Sequence, residues 1–331
     1  MVTAPLVDHI TSRNGTRHAT LPEVFAAQRS ATAASRRKKR ERQSSQAEAI
    51  ESLLDPRLLR AVHAAKEKGA SNWLTCLPLS DFGFSLSKSE FRDAIHLRYG
   101  WRPPKLPSTC VCGSPFSIDH ALSCSRGGYL GIRHNEIRDL LGDLLNETCH
   151  NVCLEPQLQD PANVTLPASA NTAPEARVDV KAGGFWNAAN RHECAFFDVR
   201  VFHPHAYSYR HRTIQQLHRQ HEAEKRAQYD GRIRQVERGS FTPLVFSTSG
   251  GAGPAAATFL KILATKLADK KNSSYSSTIS WLRCRLSFAL LRSSILCLRG
   301  SRQLKATQGS ELTPEVRQPD LAVAESRLCS I

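Results

Sequence analysis

Two runs decide how this chain is read: Glu175-Ala-Arg-Val-Asp179-Val-Lys181 and, after a connection that opens Gly183-Gly184, Cys194-Ala-Phe-Phe-Asp198-Val-Arg200-Val-Phe-His203. Each is short and rich in Val or Phe, and the Gly-Gly step between them is turn chemistry, which predicts a strand hairpin. Residues i and i+2 share one face of a strand, so Asp179 lies with Lys181 and Asp198 with Arg200. Two carboxylates and two cations can therefore converge. That set suits a divalent cation and a phosphodiester: hard oxygen donors for Mg²⁺ or Mn²⁺, and a positive charge for the developing phosphate charge. A lone Asp-x-Lys more often makes a surface ion pair of little energetic weight, so the rest of the chain has to decide.

The composition favours an anionic partner. The 331 residues carry 45 Lys and Arg against 30 Asp and Glu, a formal net charge of +15. Such a balance points first to nucleic acid, because phosphate neutralisation drives sequence-independent binding. Met1 to Gln28 lacks the continuous apolar core of a signal peptide. The most apolar stretch, Ile279 to Leu298, is interrupted by Arg283, Arg285 and Arg292, so it reads as a packed helix and no membrane partner is expected. The ten cysteines are scattered along a chain with no secretory signal, which fits reduced thiols, some of them metal-bound.

Residues 1–45 are Ala, Ser, Thr and Arg rich and are expected to be disordered. Within them Arg36-Arg37-Lys38-Lys39-Arg40-Glu41-Arg42 reads as a nuclear import signal, a phosphate-binding arm or simply a solvated charge run; the first places the protein in the nucleus. Asp55-Pro56 starts a helix closed by Gly69, and Ser87-Lys-Ser-Glu90 starts another with Phe91, Ala94 and Ile95 inward. After Pro103, Pro104 and Pro107 comes Cys110-x-Cys112, then His120 and Cys124. Two close thiolates on a turn with Gly113, plus a His and a Cys one helical turn apart, can form a tetrahedral Zn²⁺ site. The Cys-x-Cys half is tighter than the usual spacing.

Beyond it, Ile137, Leu140, Leu141, Leu144 and Leu145 mark a helix, with Glu136 at the margin of its buried face. Val152 to Leu158 reads as a strand and Asp160 to Ala176 as a loop. Arg210 to Arg238 reads as a long polar helix, Phe241 to Thr248 as a buried strand, and Ala255 to Ala268 and Trp281 to Leu298 as helices. The turn Ser249-Gly-Gly-Ala-Gly-Pro254 lacks the Gly-Lys-Ser/Thr of a phosphate-binding loop.

From Ile132 the order is helix, strand, strand, strand, helix, strand, helix, which resembles the core of the PD-(D/E)xK nuclease fold. The Cys/Cys/His/Cys cluster, Arg133-His134-Asn135, Ala176-Arg177-Val178-Asp179, Phe197-Asp198-Val199-Arg200 and Glu224-Lys225-x-x-x-Tyr229 carry a further likeness. Together they resemble the C-terminal part of retrotransposon polyproteins that place a zinc knuckle and a restriction-like endonuclease behind a reverse transcriptase. The likeness runs over Ser71 to Arg299. It implies an α/β endonuclease domain (129–299) preceded by a zinc knuckle (106–128) and a helical connector (46–105), between the basic arm and a disordered tail (300–331). It also implies that Asp179 and Asp198 bind Mg²⁺ or Mn²⁺, that Glu136 adds an acid, and that Lys225 or Tyr229 orients the water or the scissile phosphate. DNA is the implied partner, with element RNA beside it. Arg200 stands where the generic motif has Lys, and Arg cannot act as a base because it stays protonated. Lys225 or Lys181 would have to supply the amine; otherwise the chain is an inactive, zinc-stabilised nucleic-acid-binding remnant. No Tyr-x-Asp-Asp of a polymerase is present, so the chain is expected to be the nuclease end of a truncated element.

Overall fold

A computed structural model of the chain describes residues 21–127, 129–161, 164–186 and 193–300. It separates into two compact units that meet in sequence between Leu59 and Arg60. The first contains α1 (Leu21–Glu51), exposed along nearly its whole length. The expectation of disorder is corrected over 21–45. Ala, Arg, Lys, Gln and Glu are strong helix formers whatever their solvation, and Arg37 pairs with Glu41 one turn on at 3.5 Å. The basic cluster thus sits on a helix. The expected disorder of 1–20 and 301–331 lies outside the described residues.

The helix α2 (Pro56–Lys66) begins where Asp55 Oδ1 accepts the Arg57 and Leu58 N–H groups. The second unit continues through the short α3 (Asn72–Thr75), α4 (Lys88–Tyr99) and α5 (Ile118–Ser123) to α6 (Tyr129–Asn146). Next come β1 (His150–Leu154), β2 (Val180–Gly183), β3 (Cys194–Phe202), α7 (Ile214–Arg232), β4 (Ser240–Ser247), α8 (Pro254–Lys271) and α9 (Tyr275–Arg299). Helix α4 has the expected capping box between Ser87 and Glu90. Its Phe91 is not inward, however: it is 47% exposed, with one edge against Trp73, while Ala94 takes the buried position.

The strands form one open mixed sheet in the order β1-β2-β3-β4. The β1/β2 and β2/β3 pairs are antiparallel, and β3/β4 is parallel, joined by the crossover through α7. The β1/β2 register slips between His150 and Cys153. Pro243, which has no N–H to give, sits on β4, the strand at the other end of the sheet.

Strand alternation divides the side chains between two layers. Val180, Ala182, Ala195, Phe197, Val199, Leu244 and Phe246 face α6, α8 and α9, packing with Ile137, Leu141, Phe259, Leu263 and Leu282 in the main core. The intervening residues face α7. Phe196 and Phe241 pack there with Ile233, and Phe202 and Val245 with Leu217. The same parity puts Asp198 and Arg200, between Phe196 and Phe202, on the α7 face.

Candidate metal and nuclease sites

Asp179 directly precedes β2. Its N–H donates to Phe197 O at 3.1 Å, and the Val180–Phe197 pairing sets it opposite Asp198 across the hairpin. The two carboxylates are therefore neighbours on adjoining strands. Asp179 Oδ2 accepts the Val199 N–H at 2.5 Å, and Oδ1 contacts His134 Nε2 at 2.9 Å. Asp198 is 4% exposed, and Lys225 Nζ from α7 stands 2.7 Å from its Oδ2. The ammonium is the charge partner of this buried oxygen.

Burial and the Asp179 charge push the Asp198 carboxyl up to about 6, against the pull of Lys225. The hydrogen bond to Asp179 raises the His134 imidazole, outweighing its burial. The centre thus holds the Lys225 ammonium against Asp198 and the His134 ring against Asp179.

Helix α7 delivers its part of the site from a capping box, Thr213 with Gln216. Arg200 Nη1 donates to Glu224 Oε2 at 3.1 Å, and Glu224 also contacts Gln220 at 2.7 Å and His221 at 3.2 Å. Burial acts to raise the Glu224 carboxyl, but those hydrogen bonds and the Arg200 charge win and it is lowered. Lys181 stands over the Phe196 ring at 5.4 Å, and Tyr229 packs against Phe241 with the Lys225 ammonium 5.6 Å from its ring centre. The structure therefore sets Lys181, Asp198, Arg200, Lys225 and Tyr229 on the face of the sheet that carries α7, with Asp179 at the start of β2 turned to His134 of α6.

Glu136 is not among them. It is exposed and lies about 200° around α6 from His134; burial and Asp139 raise its carboxyl while Arg292 lowers it. The residue that α6 turns towards Asp179 is His134, together with Arg138 one turn on. Arg138 donates to Asp139 at 2.7 Å and pairs with Glu155. Sequence reading quoted His134 without a role. Its spacing from Arg138 along the edge of the Ile137/Leu141 stripe was the available signal.

The second cluster is the set Cys110, Cys112, His120 and Cys124, whose ligand atoms all lie within 4.8 Å of one another. Cys110 Sγ and Cys124 Sγ are 3.9 Å apart, and Cys112 Sγ and His120 Nε2 3.2 Å. Tetrahedral zinc with Zn–S bonds of about 2.3 Å puts its sulfurs about 3.8 Å apart. The donor set and its spacing therefore fit zinc. The first two thiols sit on a turn closed by Gly113 N–H to Cys110 O at 2.9 Å, with Gly113 at φ 85. His120 and Cys124 come from α5 and its C-cap. Hydrogen bonds from Ser114 draw the Cys112 thiol down to about 6, leaving a thiolate at neutral pH.

Among the described residues, Arg133 and His203 tie this lobe to the sheet. Arg133 on α6 donates to Leu122 O at 3.1 Å and Val201 O at 3.3 Å. His203, just after β3, contacts Asp119 at 3.0 Å and Thr248 at 2.9 Å. No helix among the described residues is long and apolar enough to cross a membrane. The sequence matches no protein-family model and no curated protein.

Proposed function

We propose that the second unit is a metal-dependent DNA endonuclease of the PD-(D/E)xK type, with Asp179 and Asp198 as the acids and Lys225 as the amine. The observation that carries this reading is the buried Asp198 carboxylate, with Asp179 across the hairpin and the Lys225 ammonium 2.7 Å away. Two neighbouring carboxylates, one of them buried, supply the hard oxygen donors that a divalent cation takes. Asp179 and Asp198 would hold Mg²⁺ or Mn²⁺, which on binding supplies a hydroxide nucleophile at neutral pH and draws charge off the phosphate.

The chain's own residues divide the remaining work. Lys225 takes the place of the motif's Lys that Arg200 vacates: it comes from α7 instead of β3, yet arrives at the same carboxylate. Its Nζ donates to the attacking water or to a non-bridging phosphate oxygen. Arg200, held by Glu224, presents its guanidinium fork on the same face, where it suits phosphate. His134 fixes Asp179 by a hydrogen bond, and Tyr229 backs the Lys225 stem. Exposed Arg212, Arg219 and Arg226 on or beside α7 suit a phosphate backbone approaching the same face. Zinc held by Cys110, Cys112, His120 and Cys124 would stabilise the adjoining lobe, and the retrotransposon likeness makes target-DNA nicking the expected task, carried out in the nucleus.

The test is nicking of supercoiled plasmid with Mg²⁺ or Mn²⁺ by the zinc-loaded chain, beside Asp198→Ala and Lys225→Met. Metal-dependent nicking lost in both variants, with duplex binding retained, supports the reading. Binding without nicking by the parent chain overturns it and leaves a nucleic-acid-binding remnant.

A further inference from the structure

The C-terminal end of α4 carries a feature that the nuclease reading does not use. Tyr99 and Trp101 stack on each other, with ring centroids 4.9 Å apart and planes 22° from parallel. Yet they remain 45% and 53% exposed. Large aromatic rings stacked in solvent and covering no core are uncommon in a folded domain unless something else covers them.

The pair is built, not left over. Gly100 takes φ 67, which only glycine adopts freely, and its N–H closes on His96 O and Leu97 O. The Trp101 N–H returns to His96 O at 2.9 Å, completing a Schellman turn that brings the residues on either side of Gly100 together. The His96 ring meets the indole edge-on at 6.0 Å. Beyond Trp101 come Pro103 and Pro104, and Arg299 fastens the segment by donating to Pro104 O, Lys105 O and both Asp93 oxygens. The rings are therefore held in place before any partner arrives.

The charged residues beside them in sequence have one sign. Arg98, Arg102 and Lys105 flank the rings, and residues 94–118 contain no Asp or Glu. The nearest acid before them, Asp93, is buried and paired with Arg299. An aromatic platform with cations on both sides fits unpaired nucleobases: rings stack on the base faces while the cations take the phosphates. Stacked base pairs in a duplex present no free base face, so the surface selects single strands.

We infer that Tyr99 and Trp101, with Arg98, Arg102 and Lys105, form a binding platform for unpaired bases of single-stranded nucleic acid. The inference goes beyond the endonuclease reading and does not need it, so the test uses the zinc-loaded chain carrying Asp198→Ala, which cannot cleave its probe.

Anisotropy titrations are run with labelled oligo-dT, oligo-rU and a blunt DNA duplex. The expected result is that Trp101→Ala weakens single-strand binding about tenfold, within the range for loss of one stacked base. Duplex binding should stay within about twofold, and Trp101→Phe should restore most of the loss. Tyr99→Ala provides a second removal of the platform, and circular dichroism and melting confirm that each variant is folded. Arg102→Gln should lessen the salt dependence, by about 0.7 in the slope of log K against log salt. Because the ring reads a base face, dT and rU should both depend on Trp101; a preference for either with that dependence kept supports the platform and identifies the favoured sugar. The inference is overturned if the parent chain binds neither oligomer, if folded Trp101→Ala and Tyr99→Ala bind both as the parent does, or if duplex binding falls equally.

Discussion

Arg232, the last residue of α7, is 0% exposed, yet no carboxylate faces its guanidinium among the hydrogen bonds it makes. Its fork instead donates to four backbone carbonyls: Leu158, Gln159, Asn171 and Ala173, at 2.7 to 3.3 Å. These stand near the two ends of the Asp160–Ala176 loop, so one side chain closes the connection that leads into Asp179. Arg232→Met keeps much of the apolar bulk and removes every donor. Ala173 O keeps the Ala176 N–H at 3.1 Å, so at about 1 kcal/mol for each of the other three buried carbonyls left without a partner the loss should be about 3 kcal/mol, with a range of about 2–5. For a unit of this size that corresponds to a melting temperature lower by about 10 °C. Arg232→Lys keeps the charge, but a point ammonium cannot span four carbonyls, so it should recover less than half of the loss. Urea unfolding followed by circular dichroism gives the energies, and limited proteolysis reports whether the 158–173 segment has come loose. If Arg232→Met loses under about 1 kcal/mol, or the segment stays as protected as in the parent chain, the clamp reasoning is wrong.

Other expected outcomes test the sites. Chelation of zinc, or Cys112→Ser, should lower the melting temperature and release the lobe built on α5, because structural zinc adds folding energy outright; metal analysis should give one zinc per parent chain and less in the variant. The Asp198 carboxyl is raised from 3.8 to about 6, so the folded state holds a proton that the unfolded state has released between those values. Metal-free stability should therefore fall as pH rises through that window and level off above it, and Asp198→Asn should flatten the profile; melting temperatures from pH 4 to 7 decide this. Lys225→Arg keeps a cation but replaces a compact ammonium by a planar fork, and should reduce nicking at least tenfold while binding duplex DNA as before.

The hairpin was legible because its signal is local: period-two alternation in Phe196-Phe197-Asp198-Val199-Arg200 fixes which side chains face α7, and the structure keeps that parity. The zinc set was legible for the same reason, since Cys110 to Cys124 spans one turn and one short helix. Helix ends were harder. The α7 start was placed at Arg210, whereas the Thr213/Gln216 box sets it; the box was in the sequence, but the basic run drew the boundary outward. Contacts that depend on tertiary approach left no local trace. Nothing near His134 says that its ring meets a carboxylate 45 residues away, and nothing near Arg232 says that a buried arginine binds carbonyls instead of an acid. Glu136 could not be decided from sequence because a residue at the margin of a helical stripe can turn either to solvent or into a site; here it is exposed, and packing turns His134 towards the hairpin. The helical 21–45 segment shows the converse: polar composition signals the lack of a core, not the lack of a helix.

The two ends of the sheet also bear on how the molecule behaves among its own copies. Strand β4 is buried along nearly its whole length and carries Pro243. At the other end β1 is only five residues long, mostly exposed, and kinked, with Asn151 at φ 50 and Glu155 just beyond it at φ 49. A short, twisted outer strand offers little straight backbone for a further strand to zip onto. Strand-to-strand addition is thereby blocked at the sheet's open margin. One copy's sheet is thus kept from extending into another's.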